Sequence, residues 1–129
     1  MDVPKTSLSA GEIIRDMLLS NELVKERTNK IFPISTDKAV LPYILYQRGA
    51  LEHNPAKTAP GADTAVVNVY CYAATYAESV ELSEAVRAAL DYKQGEKDGL
   101  VMRSCMLVGA EEGYEDDAFV QHLEFNVKI

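Results

Sequence analysis

The stretch Thr64–Leu90, TAVVNVYCYAATYAESVELSEAVRAAL, joins a strand pattern directly to a helix pattern and decides the fold. Up to Ala73 it is dense in Val and Tyr, and alternate residues form one wholly apolar face and one aromatic face with a polar insert. This composition predicts a strand in the centre of a sheet. From Thr75 the apolar period becomes about 3.6, and Thr75 and Glu78 have capping-box spacing, which predicts a helix packed on that sheet.

The N-terminal region carries a second helix signal. Ser9 and Glu12 have capping-box spacing, and Leu8 and Ile13 are placed as a hydrophobic staple across the start of the helix. The apolar stripe then continues to about Lys25, which predicts one core-facing helix of about four to five turns.

Further strand patterns complete the predicted architecture. IFP around Pro33 predicts a short edge strand, because proline cannot donate to a ladder from a central position. Three longer strands are predicted at 41–48 (LPYILYQR), 100–108 (LVMRSCMLV) and 119–129. The element order predicts an α+β fold in one domain, residues 1–129, with a mainly antiparallel four- to five-stranded sheet and two helices packed on one face. The opposite face carries Tyr, Arg and Gln, and we expect it to be partly wet or covered by another chain.

Three segments lack a regular period. Residues 1–7 are predicted to be a mobile or partner-bound arm, and the turn-rich segment 49–63 a loop of roughly 15 residues. Segment 109–117, GAEEGYEDD, is predicted to be an acidic loop; its spacing matches no calcium loop, so a solvated hairpin turn is favoured over a metal site. Long loops are either disordered or kept for a partner. The candidate subunit or tube contacts in these loops are His53, Asn54, Lys57, Glu111, Glu112, Tyr114, Glu115 and Asp116.

The composition limits the classes of function. With 47% hydrophobic and 26% charged residues the chain is globular rather than disordered. Its net charge of −7 opposes sequence-independent nucleic-acid binding, but it is compatible with an acidic wall that DNA slides past. Cys71 and Cys105 lie within predicted strands and are interpreted as reduced core thiols. No apolar run approaches the ~20 residues of a membrane span and no signal peptide is recognised, so we expect folding in a cytoplasm.

The sequence offers no constellation that carries catalysis. His53 lies in the long loop and His122 on the outward side of the last strand, and neither combines with a Ser or Cys nucleophile in a recognisable motif. No glycine loop of the phosphate-binding kind is present, and no cofactor or metal site is predicted. The seven Tyr are interpreted as sheet residues or interface anchors. We therefore predict that the protein is not an enzyme.

Two segments resemble a known family. LPYILYQR after a short IFP segment, and NVYCYAATYAESVELSEAVRAAL after a long loop, are similar to the tail completion or tail terminator proteins of long-tailed bacteriophages and prophages. The resemblance covers nearly the whole chain in element order. The matching positions are Leu41, Pro42, Tyr43, Tyr46, Gln47, Tyr70, Ala73, Thr75, Tyr76, Glu78, Leu82, Ala85, Val86, Arg87 and Leu90.

The resemblance implies a structural α+β subunit that assembles with copies of itself into a ring, commonly a hexamer. Such a ring caps the tail tube, stops its polymerisation and offers a surface to the head–tail connector. The implied partners are the tail tube protein and the connector protein, with no specific nucleic-acid recognition and no membrane. The implied locations are the host bacterial cytoplasm during assembly and then the virion tail.

Two other classes of function remain open on sequence alone. A small-molecule-binding or regulatory α+β domain would need a pocket between helix and sheet that is lined by convergent polar groups. An enzyme would need a His or carboxylate with a strongly perturbed pKa in a cleft.

Overall fold

The framework of the protein is a mixed sheet with helices on one face, seen in a computed structural model that describes residues 3–36, 40–53, 55 and 63–129. The strands are β1 Ile31–Pro33, β2 Tyr43–Glu52, β3 Thr64–Ala73, β4 Gly95–Lys97, β5 Leu100–Met102, β6 Ser104–Glu115 and β7 Ala118–Lys128. The helices are α1 Ala10–Ser20, α2 Glu22–Lys25 and α3 Tyr76–Leu90, and a 3-10 turn at Ser7–Ser9 precedes them.

The five-stranded sheet has the order β1-β2-β3-β7-β6, with β3 in the middle. Every neighbouring pair is antiparallel except β1 and β2, which are parallel. The predicted α+β class, the mainly antiparallel sheet and the central position of the 64–73 strand are confirmed. The strand around Pro33 lies at one edge of the sheet. The missing proline N–H costs no hydrogen bond there, because an edge strand has a neighbour on one side only.

The main core lies between the sheet and the helices. Alternate residues of β3, from Ala65 to Cys71, are almost completely buried there, as the strand period requires. Helix α1 contributes Ile13, Ile14 and Leu18 to the same core, and α3 contributes its apolar stripe of Leu82, Val86 and Leu90. Burying one such side chain contributes roughly 1.5–3 kcal/mol, so this cluster is the main source of stability.

The N-terminus of α3 is capped by Thr75, which is one half of the predicted capping box. The Thr75 hydroxyl accepts a hydrogen bond from the Glu78 N–H at 3.2 Å, and the helix begins at Tyr76. Only Ala74 and Thr75 separate the end of β3 from this helix. The helix therefore starts at one end of the central strand and packs back along the sheet.

The start of the first helix differs from the prediction. Ser9 makes no side-chain capping bond; instead Thr6 Oγ1 accepts from the Leu8 N–H at 3.4 Å and opens the 3-10 turn. Leu8 is 64% exposed, so the predicted hydrophobic staple is wrong. Thr6 competes successfully because its hydroxyl reaches an unpaired N–H one turn earlier. Ser7, at the end of the predicted mobile arm, is buried rather than free.

The predicted single N-terminal helix is two helices. Asn21 has extended backbone angles, and its Oδ1 accepts from the Val24 N–H at 3.2 Å, so it ends α1 and caps α2. An asparagine side chain offers the backbone this alternative to continued helix. The described residues therefore contain three helices where two are predicted, and α2 packs against α1 and α3.

Both predicted long loops are shorter than expected. Strand β2 continues to Glu52, with a bulge between Arg48 and Leu51, so residues 49–52 are strand. Of the rest of the predicted 49–63 loop, residues 54 and 56–62 lie outside the described residues. Segment 109–117 is wrong as a loop, because β6 pairs with β7 as far as Glu115. Only Asp116 and Asp117 form the turn, both with positive φ.

A small ribbon replaces part of the predicted strand 100–108. That strand is split at Arg103: β5 pairs with β4 in the ribbon, and β6 enters the main sheet. The ribbon turn is Asp98-Gly99 with φ of 52° and 84°, the geometry that this dipeptide favours in tight hairpins. The predicted polar turn 93–99 thus contains β4, whose Lys97 Nζ lies 2.8 Å from Asp16 Oδ2 of α1.

The second face of the sheet is called the open face here, because no helix of the described residues lies on it. A smaller buried cluster of Leu45, Tyr72, Ala118 and Val120 sits there, with half-buried aromatic residues around it. This agrees with the expected aromatic and polar second face. No described helix has the length and apolar character needed to span a membrane.

Candidate functional site

Strand β6 carries four of the predicted contact residues and divides them between the two faces of the sheet. Glu111 and Glu115 are paired across the ladder with His122 and Ala118, on the open face. The intervening Glu112 and Tyr114 project on the helix side. Together with Asp116 in the following turn they form one acidic corner of the protein. The sequence prediction placed them together in one loop and missed that a strand separates them into two sets.

On the open face, Glu115 is held by a tyrosine of the central strand. The Tyr72 hydroxyl donates to Glu115 Oε1 at 2.9 Å, and the Tyr72 ring stacks on Tyr43 with centroids 4.7 Å apart. Burial and this hydrogen bond to a carboxylate raise the pKa of Tyr72 well above its ordinary value. The pKa of Tyr43 is also raised, by burial and by the nearby charges of Asp116 and Glu115.

On the helix side, Glu112 joins the edge strand to the start of α3. The Tyr76 hydroxyl donates to Glu112 Oε2 at 3.0 Å, and Gln121 Nε2 donates to the same oxygen at 3.0 Å. Gln121 also lies 3.3 Å from Ser79 Oγ on the helix. The bond to Glu112 raises the pKa of Tyr76. This explains Gln121, the single polar residue on the inward side of β7: it links strand and helix.

A second aromatic cluster on the open face was not among the predicted site residues. Tyr70 and His122 stack with ring centroids 4.4 Å apart, and His122 Nε2 lies 2.7 Å from Asn68 Oδ1. Two open grooves of about 230 and 240 Å³ lie beside it, and both are lined by Glu111 and His122. The signal in the sequence was the alternation of Asn68, Tyr70 and His122 on outward positions of neighbouring strands.

His53 lies far from the acidic corner, at the other end of the sheet. It follows β2, and its Nδ1 contacts Asp63 Oδ1, while the Ser7 hydroxyl donates to Asp63 Oδ2 at 2.6 Å. These two bonds lower the pKa of Asp63. The two ends are separated by the length of β7, which has eleven residues and is therefore roughly 30 Å long. The other two predicted contacts in this loop, Asn54 and Lys57, lie outside the described residues.

The charges of the acidic corner are not balanced by basic side chains of the described residues. Within the described ranges no Lys or Arg forms an ion pair with Glu111, Glu112, Glu115 or Asp116. No group of three or more His, Cys, Asp or Glu in the same ranges could hold a metal ion. The grooves beside the corner are smaller than the roughly 300–1,000 Å³ of typical ligand pockets.

A comparison with protein families identifies the chain. The family model described as "Tail completion protein gp17" matches residues 14–129. The chain belongs to this tail completion family. It is therefore a structural protein of the bacteriophage tail. The resemblance expected from LPYILYQR and from residues 68–90 is confirmed, and no curated relative matches the chain.

The fold is shared with a virion protein of known structure. Among 22 matching chains of solved structures, one from a structure described as "Virion of native gene transfer agent (GTA) particle" superposes with a TM-score of 0.70. The superposition covers 95% of this chain and 98% of the virion chain, and the two sequences are 14% identical. At this identity the likeness shows the fold. Three of the positions that resemble the family, Leu82, Val86 and Leu90, form the core stripe of α3.

Proposed function

We propose that this tail completion protein closes the end of the tail tube as a hexameric ring and offers the opposite side of the ring to the head–tail connector. Each subunit is a single domain of residues 1–129. Its partners are copies of itself, the tail tube protein and the connector protein. The ring is assembled in the host bacterial cytoplasm and stays in the virion tail. The family match over residues 14–129 carries the proposal.

The arrangement of candidate contacts supports a subunit with two separate binding ends. The acidic corner around Glu112 and Glu115 lies at one end of the sheet, and His53 and Asp63 lie at the other. A subunit that touches a neighbour and a tube needs contact surfaces that do not overlap. We propose that the loop end, with Asn54 and Lys57, contacts the next subunit or the tube, and that the acidic corner contacts a second component.

The charge of the chain suits a ring through which DNA passes. The net charge is −7, and DNA binding without sequence preference depends on Lys and Arg displacing counterions from phosphates. A ring of such subunits presents mainly carboxylates to passing DNA. We therefore expect the ring to leave DNA unbound, with neither sequence-specific nor general affinity.

The first test is whether the purified chain forms a ring that ends a tube. We would measure its solution mass by light scattering after size exclusion over a wide concentration range, and image the product by electron microscopy. A closed hexamer, or a monomer that closes on added tail tubes, would support the proposal. A chain that stays monomeric and leaves both tube length and tube ends unchanged would contradict it.

The second test concerns the loop after β2. His53 and Asp63 are in contact, so a linker of a few Gly and Ser residues can replace residues 54–62 without stretching the base of the loop. We expect this shortened chain to unfold at the same urea concentration as the wild type and to fail in ring or tube assembly. A variant in which residues 54–62 become Gly and Ser at unchanged length is the matched control for the loss of side chains alone. Unaltered assembly of both variants would remove the loop from the interface.

A further inference from the structure

The outer edge of β6 is half covered and half free. Near its start, the Asp91 carboxylate accepts from the Leu107 N–H at 3.0 Å, and the Tyr92 N–H donates to the Cys105 carbonyl at 2.7 Å. Beyond the bulge between Leu107 and Gly109, no element of the described residues lies against this edge. An unpaired strand edge is a template for pairing with another chain.

The backbone groups of β7 show which residues of β6 face that free edge. The Arg103 N–H donates to the Lys128 carbonyl at 2.7 Å, so Lys128 turns its backbone groups toward β6. Backbone direction alternates along an antiparallel strand, so His122 and Val120 also turn toward β6. The register pairs these two residues with Glu111 and Gly113.

Glu111 and Gly113 therefore exchange backbone hydrogen bonds with β7. The backbone groups of the residues between and beside them point away from β7. Ala110, Glu112 and Tyr114 present their N–H and C=O groups to the outside. All three are exposed. The free edge thus offers three consecutive pairing positions, enough to bind an extended segment of about five residues.

The side chains beside this edge favour a cationic segment. On the open face a sixth strand would lie next to Glu111 and Glu115, and on the helix side next to Ala110, Glu112 and Tyr114. Within the described residues no Lys or Arg pairs with any of these carboxylates. Lys or Arg at alternate positions of the sixth strand would lie beside Glu111 and Glu115. On the helix side Tyr114 is 61% exposed and is accessible to the added strand.

We propose that the free edge Ala110–Tyr114 binds an extended Lys- or Arg-bearing segment of another virion protein, which adds to the sheet as a sixth strand. Main-chain hydrogen bonds give the affinity, and Glu111 and Glu115 select the charge. The edge exists in the single subunit, so the proposal does not depend on ring formation.

A second copy of this chain is a poorer occupant. Pairing two β6 edges about a two-fold axis would oppose carboxylates to carboxylates, which is destabilising. The other edge of the sheet begins with β1, which has three residues and ends in Pro33, a residue without an N–H. A basic strand from another protein would pair with the free N–H and C=O groups of β6 and would neutralise its carboxylates.

The test uses a fluorescent eight-residue peptide of alternating Lys and Thr and its fully N-methylated analogue. Both carry the same charge, but only the first can donate backbone hydrogen bonds. We expect anisotropy titrations to show about tenfold tighter binding of the unmethylated peptide. E111Q/E115Q should weaken this binding about tenfold, whereas E81Q/E84Q, the same charge change on exposed positions of α3, should leave it within about twofold. Equal affinity of the two peptides would mean simple polycation binding and would overturn the proposal.

A backbone variant tests the edge directly. In Ala110→Pro the lost N–H faces outward, so pairing with β7 is kept and the urea midpoint should change little. Binding of the unmethylated peptide should weaken, because one of the three outward-facing positions loses the N–H that would donate to the peptide. Unchanged binding in this folded variant would overturn the proposal. A change in the solution mass of E111Q/E115Q alone, without peptide, would instead assign the edge to contacts between copies and would also overturn it.

Discussion

The Tyr72 hydroxyl donates a 2.9 Å hydrogen bond to Glu115 Oε1, and so connects the central strand to the edge strand across β7. Tyr72 is 8% exposed and Glu115 is exposed. The bond therefore holds a surface carboxylate against the hydroxyl of a buried tyrosine. Tyr43 stacks on the other side of that ring. Glu115, the part of the acidic corner on the open face, is therefore positioned by aromatic packing of that face.

Removing the Tyr72 hydroxyl should loosen this corner with little loss of core. For Tyr72→Phe we expect about 1 kcal/mol lower free energy of unfolding in urea, because one charge-assisted hydrogen bond is lost and the ring stays. Tyr92→Phe is the matched control, since Tyr92 is 77% exposed. An alkaline titration followed by tyrosine absorbance should lose its latest-titrating phenol in Tyr72→Phe, because the pKa of Tyr72 is raised. If both variants are equally stable, the bond has no structural role.

Asp91 protects the covered half of the β6 edge. Its side chain is 10% exposed, accepts from the Leu107 N–H and lies 3.3 Å from Arg87 Nε. Asp91→Ala should lower the free energy of unfolding by about 1–3 kcal/mol, because a strand N–H loses its acceptor. Asp91→Asn keeps an acceptor oxygen and should lose less. Hydrogen exchange at the Leu107 amide should become faster in Asp91→Ala, and unchanged exchange would show that water replaces the carboxylate without cost.

The part of the fold that the sequence predicts best is the part in which local and long-range signals agree. Thr64–Ala73 alternates, lies in the sheet centre and leads into a helix whose Thr75 cap is present. The 109–115 segment misled prediction because Glu and Gly are poor strand formers, and it is a strand only because it pairs with β7. A pairing partner far along the chain is not visible in a local pattern.

The same limit applies to the candidate site. Composition pointed to the acidic segment, but nothing in it revealed that Tyr72 and Tyr76 would bind two of its carboxylates from different elements. The stack of Tyr70 on His122 depends on the register of β3 with β7. Register is set by the buried face, so sequence reasoning that placed the correct residues outward could not choose their neighbours.

Gly95 is a close contact between the ribbon and α1. A Cβ built there would lie 2.8 Å from Ile13 Cγ2 and 2.9 Å from Met17 Sδ. Gly95→Ala should therefore lower the free energy of unfolding by about 1–3 kcal/mol through overpacking. Gly113→Ala is the matched control, because no described atom comes within 4 Å of its added Cβ. Equal urea midpoints for the two variants would mean that the ribbon moves away without cost.

The two cysteines should be inert in the native protein. Both are free and buried, and burial with the nearby Asp91 charge raises the pKa of Cys105 to about 12. The thiolate is the reactive species, so neither residue should react with a disulfide reagent at pH 8 until the chain unfolds in urea. The rate of labelling should follow the unfolded fraction. Fast labelling of Cys105 without denaturant would show that β6 opens locally, and Cys71→Ser and Cys105→Ser single variants assign the site.

The contribution of Asp63 to stability, through its contacts with Ser7 and His53, should decrease as the pH falls. Hydrogen bonds from Ser7 and His53 lower the pKa of Asp63 in the folded state. Such a carboxyl stabilises the fold above its unfolded pKa of about 3.9, and this contribution disappears as the pH falls through the lower folded pKa. We therefore expect Asp63→Asn to lower the urea midpoint at pH 6, and the difference from the wild type to shrink below about pH 4. Glu81→Gln, at an exposed position of α3, should show no such dependence. A wild-type advantage over Asp63→Asn that is equal at pH 3 and pH 6 would contradict this account, and Ser7→Ala, which removes the first of the two donors, should reproduce part of the loss at pH 6.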